Sequence, residues 1–223
     1  MARKSAGRSS AIVAPAPPST RLRLDALPDG EPCADCRYAD LTLVRAALGD
    51  QVAPDASFER VWFERVRLDA TRMPGLHIRD ARFDGCDLAG ADWQKAHLSA
   101  IELVECRLLG IKLVEARIRD AVFSGCAASL GTFFAARFVA VRFTGCDLTE
   151  VSFQEADLAG VIFERCDLRG ANFHGASLVG TDLRGSRLDG IQVGGAELRG
   201  AIVEPTQAAL LAEVLGLVVR WEG

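Results

Sequence analysis

Aromatic side chains are scarce in this 223-residue chain: Phe, Trp and Tyr together make up 7%, and Tyr occurs once. A compact globule of this size leans on large side chains, whereas here a 49% hydrophobic share is carried mostly by Ala, Leu and Val. Long apolar runs are missing too. No stretch approaches the ~18 to 20 uninterrupted apolar residues of a membrane helix, which excludes that class of spanning protein. The chain is nevertheless too hydrophobic for an intrinsically disordered segment. No charge of one sign dominates: 26 basic against 30 acidic residues leave a net −4, with no overall basic footprint for direct nucleic-acid binding. Histidine occurs three times, which leaves little acid–base equipment. No phosphate loop, dinucleotide fingerprint or nucleophile–base–orienter set is visible. These absences argue against an enzyme and imply no cofactor.

The N-terminus is basic and poor in apolar pattern. Arg3, Lys4, Arg8, Arg21 and Arg23 occur with no acid before residue 25, among Ser5, Ser9, Ser10, Pro15, Pro17 and Pro18. Residues 1–30 therefore read as a flexible basic, Pro-rich tail. Ala11 to Ala14 is too short an apolar run for a secretory signal.

What the chain does have is a period. From Ala56 to Pro205 it divides into fives without insertion, giving 30 pentapeptides in 150 residues. The first position is small or β-branched and the third is Leu or Phe, as in CDLTE from Cys146, VSFQE from Val151, ADLAG from Ala156 and CDLRG from Cys166. Ten of the 11 Phe sit at third positions and 14 of the 21 Gly at fifth positions, so register is held throughout. Neither a 3.6-residue period nor strand alternation fits. Two inward side chains followed by a polar or Gly corner describe one side of a coil, whose core is completed by the coils above and below. A second spacing supports this. Cys86, Cys106, Cys126, Cys146 and Cys166 follow one another at a constant interval of four pentapeptides. Phe63, Phe83, Phe123, Phe143 and Phe163 fall on the same grid, as do Trp93, Phe133, Phe153 and Phe173.

This pattern resembles the pentapeptide-repeat family. The resemblance implies an all-β, right-handed quadrilateral β-helix with four pentapeptides to a coil. Thirty repeats would make 7.5 coils, a rod roughly 36 Å long at the ~4.8 Å strand spacing. The solenoid is expected over 36–205, regular from 56, with Cys36/Tyr38, Leu41/Leu43 and Ala46/Leu48 forming an irregular first coil. After Pro205 the pattern changes. Thr206 can cap a short helix running to about Leu215, within a C-terminal segment 206–223. Its apolar residues Leu210, Leu211, Val214 and Leu215 would cover the last coil, make a homodimer contact, or both. Residues 126–135 break the pattern, because Ala128 takes a Leu site and Gly131 a first position. A void there would cost ~2 to 5 kcal/mol, so a local distortion with Leu130 turning inward is expected.

The ladder cysteines read as core packing: ligands strung along a line cannot converge on one metal. Free buried thiols suit a reducing cytoplasm, the expected location. Cys33 and Cys36 have the spacing of half a zinc site or a redox pair, yet no second pair lies outside the ladder. His77 and His97 should stack on one outer face as surface residues, and His174 stands alone.

Surface recognition is what remains. His77, His97, Arg117 and Arg137 form one outward column, flanked by Arg79 and Arg119. On the opposite face Asp69, Asp87, Asp147, Asp167 and Asp189 are interleaved with Arg67, Arg107, Arg169 and Arg187. Val104, Leu109 and Val114, continued by Val122, Leu130, Phe134 and Val139, form a candidate apolar interface. A solvated surface is the competing reading for the two charged columns, and cover by the distorted coil itself for the apolar band. The expected function is a non-catalytic protein-interaction scaffold. The family resemblance adds an alternative, a DNA-mimicking modulator or protector of DNA gyrase. Against it, ~36 Å of duplex carries roughly 21 negative charges, whereas residues 56–205 hold 21 acids offset by 18 basics. A metal-binding or enzymatic role is the remaining alternative.

Overall fold

The computed structural model describes residues 11–19, 22–28 and 30–220. It is a right-handed, four-sided parallel β-solenoid of about seven turns closed by one short helix. The strands are β1 (Arg23–Leu24), β2 (Arg37–Val44), β3 (Ser57–Glu64), β4 (His77–Asp84), β5 (His97–Val104), β6 (Arg117–Ser124), β7 (Arg137–Thr144) and β8 (Ile162–Glu164). They pair in sequence order, all parallel. Partners lie one coil apart along the chain, as in Arg37↔Ser57, His77↔His97 and Arg117↔Arg137. Isolated bridges extend the same register round the other sides, as in Arg67↔Asp87↔Arg107 and Asp147↔Asp167↔Arg187. We number the faces from Ala56: the first begins there, the second at Val61, the third at Val66 and the fourth at Thr71, each recurring once per coil.

First and third positions point inward. The core is one column of such residues, with Phe63, Phe83, Phe143 and Phe163 and the five ladder cysteines all buried. Rings stack down the second and fourth faces: Phe63 on Phe83 at 4.4 Å, Phe123 on Phe143 at 4.5 Å, Phe153 on Phe173 at 5.4 Å. Each coil thus buries its apolar sides only because a neighbour lies against it.

Corners fall at fifth positions, where φ is positive even for bulky residues such as Asp80 (54°) and Leu130 (60°). Between the third and fourth faces the corner is a hydrogen-bonded turn, Ile111 N–H to Leu108 O at 3.0 Å and Gly131 N–H to Ala128 O at 3.2 Å. A positive φ at the third residue of such a turn is the type II signature. Between the first and second faces the eight-residue strands β3 to β7 run through the corner instead. That edge tightens where Gly160, Gly180 and Gly200 take the fifth position, with Val161 N–H to Leu158 O and Thr181 N–H to Leu178 O both at 3.0 Å and Ala201 N–H to Leu198 O at 3.1 Å. Hence β8 is short, Ile162–Glu164.

The structure departs from expectation in four places. The solenoid is regular earlier than expected: β2 pairs with β3 in full register, and Tyr38, Leu43 and Leu48 are buried. The segment read as a tail enters the fold before residue 30, since β1 pairs with Thr42 and Leu43 and Leu27 is buried. Residues 1–10, with Arg3, Lys4 and Arg8, lie outside the described residues, as does Arg21. The coil at 126–135 is not distorted. Ala127 bridges Asp147, Thr132 bridges Ser152, and Leu130 points outward at 59% exposure. On the next face of the same coil Phe133 stacks on Phe153 at 5.2 Å and reaches Phe143 at 6.5 Å.

The helix α1 (Pro205–Val214) is the fourth departure. It starts two residues earlier than expected, with Glu204 rather than Thr206 at its N-cap. Glu204 N–H donates to Gln207 Oε1 at 3.0 Å. Gln207 is buried, and its amide donates to Leu183 O (2.7 Å) and Ser186 O (2.8 Å). These carbonyls have no further coil above them, so the glutamine satisfies an edge that would otherwise invite strand addition. Leu211 is buried and Leu210 partly so, while Val214 and Leu215 remain exposed.

Candidate interaction surfaces

The ladder cysteines are buried and carry free thiols. Ladder thiols donate to main-chain carbonyls of the coil below, Cys86 to Phe63 O at 3.3 Å and Cys146 to Phe123 O at 3.4 Å. Contact with neighbouring thiols, and burial, push Cys106 and Cys166 far above the ordinary thiol range. At the top of this ladder Ser186 takes the cysteine position and donates to Phe163 O at 3.0 Å. Cys33 and Cys36 are joined in a disulfide. Among the described residues no group of three or more His, Cys, Asp or Glu converges on a metal-sized site.

The outward columns are mostly charge-alternating. On the third face Arg107 pairs with Asp87 at 3.0 Å, and Asp167 is held by Arg169 at 2.7 Å and Arg187 at 3.5 Å. Arg169 draws the Asp167 carboxyl below the usual carboxylate range. Asp147 accepts from Thr149 N–H and Oγ–H, and Asp189 is exposed. The expected aspartates do share a face, but arginines interrupt it.

The apolar band does not assemble as one patch. Val104 lies on the second face, Leu109 on the third, Val114 and Phe134 on the fourth, and Leu130 at a corner. Only Val114 and Phe134 share a column, and both are half-buried. Consecutive fourth positions travel round the rod, so adjacency in sequence is not adjacency on a face.

Two members of that band, Val122 and Val139, instead meet in an apolar groove along the edge between the first and second faces. Val122, Val139, Ile162, Val179 and Ile202 line it, and its volume is ≈ 1020 Å³. Its residues recur two coils apart, in the sets Val122/Ile162/Ile202 and Val139/Val179. That column signal was present in the sequence. Ala11 and Ile12 also line the groove. The arm that carries them runs back along the rod, with Ala16 N–H on Asp80 Oδ1 at 3.2 Å and Ser19 N–H on Asp40 Oδ1 at 2.9 Å.

On the first face His77 and His97 stack with ring centroids 4.8 Å apart. Burial, with His77 and Arg117 beside it, holds the His97 imidazole below its ordinary value. His97, Arg117, Arg119, Arg137 and Val139 border a shallow groove of ≈ 390 Å³ over Leu98 and Ile118.

The family models fit this architecture. One for the pentapeptide repeat region matches residues 116–193, and one for eight copies of the repeat matches 81–120. The chain belongs to the pentapeptide-repeat family. Solved pentapeptide-repeat structures similar to it include HetL, involved in heterocyst differentiation regulation, from the cyanobacterium Nostoc sp. strain PCC 7120. That likeness is 20% identical over 67% of this chain and 75% of that one, with TM-score 0.40. Another is trypsin-treated QnrB1, a plasmid-mediated fluoroquinolone resistance protein, 18% identical over 83% and 100% of the two chains, with TM-score 0.43. No curated protein matches the chain. Pentapeptide-repeat core positions specify the coil, and none of the outward residues described above follows from them.

Proposed function

We propose that this pentapeptide-repeat protein is a non-catalytic scaffold that binds a protein partner along the outside of its rod. The observation that carries this is the division of labour between positions. Inward residues and backbone are consumed by packing and by the coil-to-coil ladder, which leaves flat columns of outward side chains at fixed ~4.8 Å steps. Such columns suit an extended partner surface, and no nucleophile, base and orienter converge among the described residues.

A gyrase-directed DNA mimic is the second reading, suggested by family likeness and rod length. The pairing of Asp87 with Arg107 and of Asp167 with Arg169 and Arg187 speaks against it, because duplex DNA presents unneutralised charge every ~1.7 Å. Free ladder thiols suit a reducing, cytoplasmic setting, while the Cys33–Cys36 disulfide speaks against it. Among the described residues no helix is long and apolar enough to cross a membrane. Exposed Val214 and Leu215 offer a homodimer contact, which analytical ultracentrifugation of a Leu215→Glu variant would read.

The scaffold reading is tested by photo-crosslinking residues placed at outward second positions on each face of the full chain. One protein species captured along successive rungs of a single face is the expected result. Capture of none from any face, or turnover of a small molecule by the purified protein, would overturn it.

A further inference from the structure

Stacked neighbours on this rod usually carry opposite charge. Arg60 lies on Asp40 at 2.7 Å, Arg82 on Glu102 at 2.6 Å and Arg107 on Asp87 at 3.0 Å. The first face departs from this rule. Parallel register sets His77, His97, Arg117 and Arg137 on consecutive rungs, with Arg119 two residues along β6 from Arg117. Like charges directly opposite each other are destabilising in a sheet. Among the described residues, Arg117, Arg119 and Arg137 make no ion pair, and Asp120, adjacent to Arg119, makes none either. All three guanidinium-bearing residues and His97 border the same groove of ≈ 390 Å³, whose floor is Leu98 and Ile118.

We infer that this groove is a binding site for a phosphate-type dianion carried on a phosphorylated side chain of a protein partner. The donor set selects the anion. Three guanidiniums offer more N–H groups than the two oxygens of one carboxylate can accept, whereas a tetrahedral phosphate group has three free oxygens and prefers bidentate Arg contacts. The extent of the patch selects the carrier. Its arginines span two rungs, and Asp157 bridges Arg137 on the next rung, so the positive field is confined to one group. A nucleic acid needs a longer basic track for successive phosphates. The groove is open on a flat face, while small metabolites bind where most of their surface can be enclosed.

Protein as the carrier rests on the scaffold reading; the anion site itself does not. The test is calorimetry together with imidazole NMR of the full chain at low, fixed ionic strength. The probes are inorganic phosphate, a phosphoserine peptide, the same peptide unphosphorylated, and a single-stranded oligonucleotide. His174, on the fourth face, is the internal reference. Phosphate and phosphopeptide should move the His77 and His97 signals and leave His174 in place. Arg117→Gln and Arg137→Gln should each weaken binding about tenfold or more, the loss of a charge-assisted contact. Arg199→Gln, an exposed arginine at the far end of the same face, should bind as the parent does. These surface variants should keep the parent's circular dichroism and melting. Unmoved histidines, or unchanged binding in both Arg117→Gln and Arg137→Gln, would overturn the site. Phosphate binding without preference for the phosphorylated peptide, or tighter binding of the oligonucleotide, would overturn the protein carrier while leaving the scaffold reading to its own crosslinking test.

Discussion

Replacing Phe143 with Ala probes the coupling between coils that holds the rod together. Phe143 is 1% exposed and lies between Phe123 at 4.5 Å and Phe163 at 5.1 Å, with Phe138, Phe133 and Phe153 within 6.5 Å. Phe173 is equally buried, but among the described residues its ring meets only Phe153, at 5.4 Å. Truncating either ring removes similar apolar area and leaves a cavity, about 3 to 5 kcal/mol. Aromatic pairs add roughly 0.5 to 1.5 kcal/mol each beyond area. Phe143 has one more stacked neighbour than Phe173, so Phe143→Ala should cost about 0.5 to 1.5 kcal/mol more than Phe173→Ala. It should also weaken the interface between the two halves, because solenoid stability is a sum of nearest-neighbour terms. Guanidinium unfolding followed by circular dichroism reads the first effect, and a lower m-value or a second transition reads the second. If Phe143→Ala costs no more than Phe173→Ala, and unfolding stays one steep transition, the reasoning from stacked columns is wrong.

Other changes test separate parts of the account. Leu130→Glu should alter stability by no more than about 0.5 kcal/mol in thermal melts, since Leu130 faces solvent. Leu148→Ala, at a fully buried site, should lose ~2 to 5 kcal/mol in the same melts. Gln207→Ala should cost about 1 to 3 kcal/mol and raise concentration-dependent association in light scattering, because two carbonyls at the last coil lose their donor. The Asp40 carboxyl is held well below the usual range by hydrogen bonds from Arg60 and Ser19. Its folded value is depressed, so its contribution is present above the unfolded value near ~3.9 and is lost as pH falls from there through the folded value. Asp40→Asn should flatten the acid limb of the melting curve and hasten proteolysis within residues 11–19.

The solenoid was legible because its core is written twice, once in the five-residue pattern and again in the once-per-coil spacing of Cys86 to Cys166. Either period alone fixes which side chains stack. Other features depend on volumes and partners that no spacing reports. Ala128 in a Leu site predicts a distortion with Leu130 turned inward, yet the coil keeps its register and Leu130 stays exposed. Thr206 had the chemistry of a cap, but Glu204 and Gln207 cap the helix because Gln207 also reaches the open carbonyls of the last coil. Among surface features, the His77–Arg137 column followed directly from register. Val104, Leu109 and Val114 lie on three different faces, because successive fourth positions lie on successive faces, while Val122 and Val139 of the same band meet in one groove. The groove of Val139, Ile162, Val179 and Ile202 emerges only when residues are compared two coils apart, and nothing in the sequence announces the arm beside it.

The central functional claim is that the rod recognises a protein through mixed, patterned faces and does not act as an electrostatic copy of DNA. Its most direct test is a DNA gyrase supercoiling assay with the full chain added, with and without a fluoroquinolone. The account predicts neither inhibition nor protection at micromolar concentrations of the protein. Inhibition, or protection from the drug, that persists with the Asp87, Asp147 and Asp167 face intact and is lost on charge reversal there would contradict it.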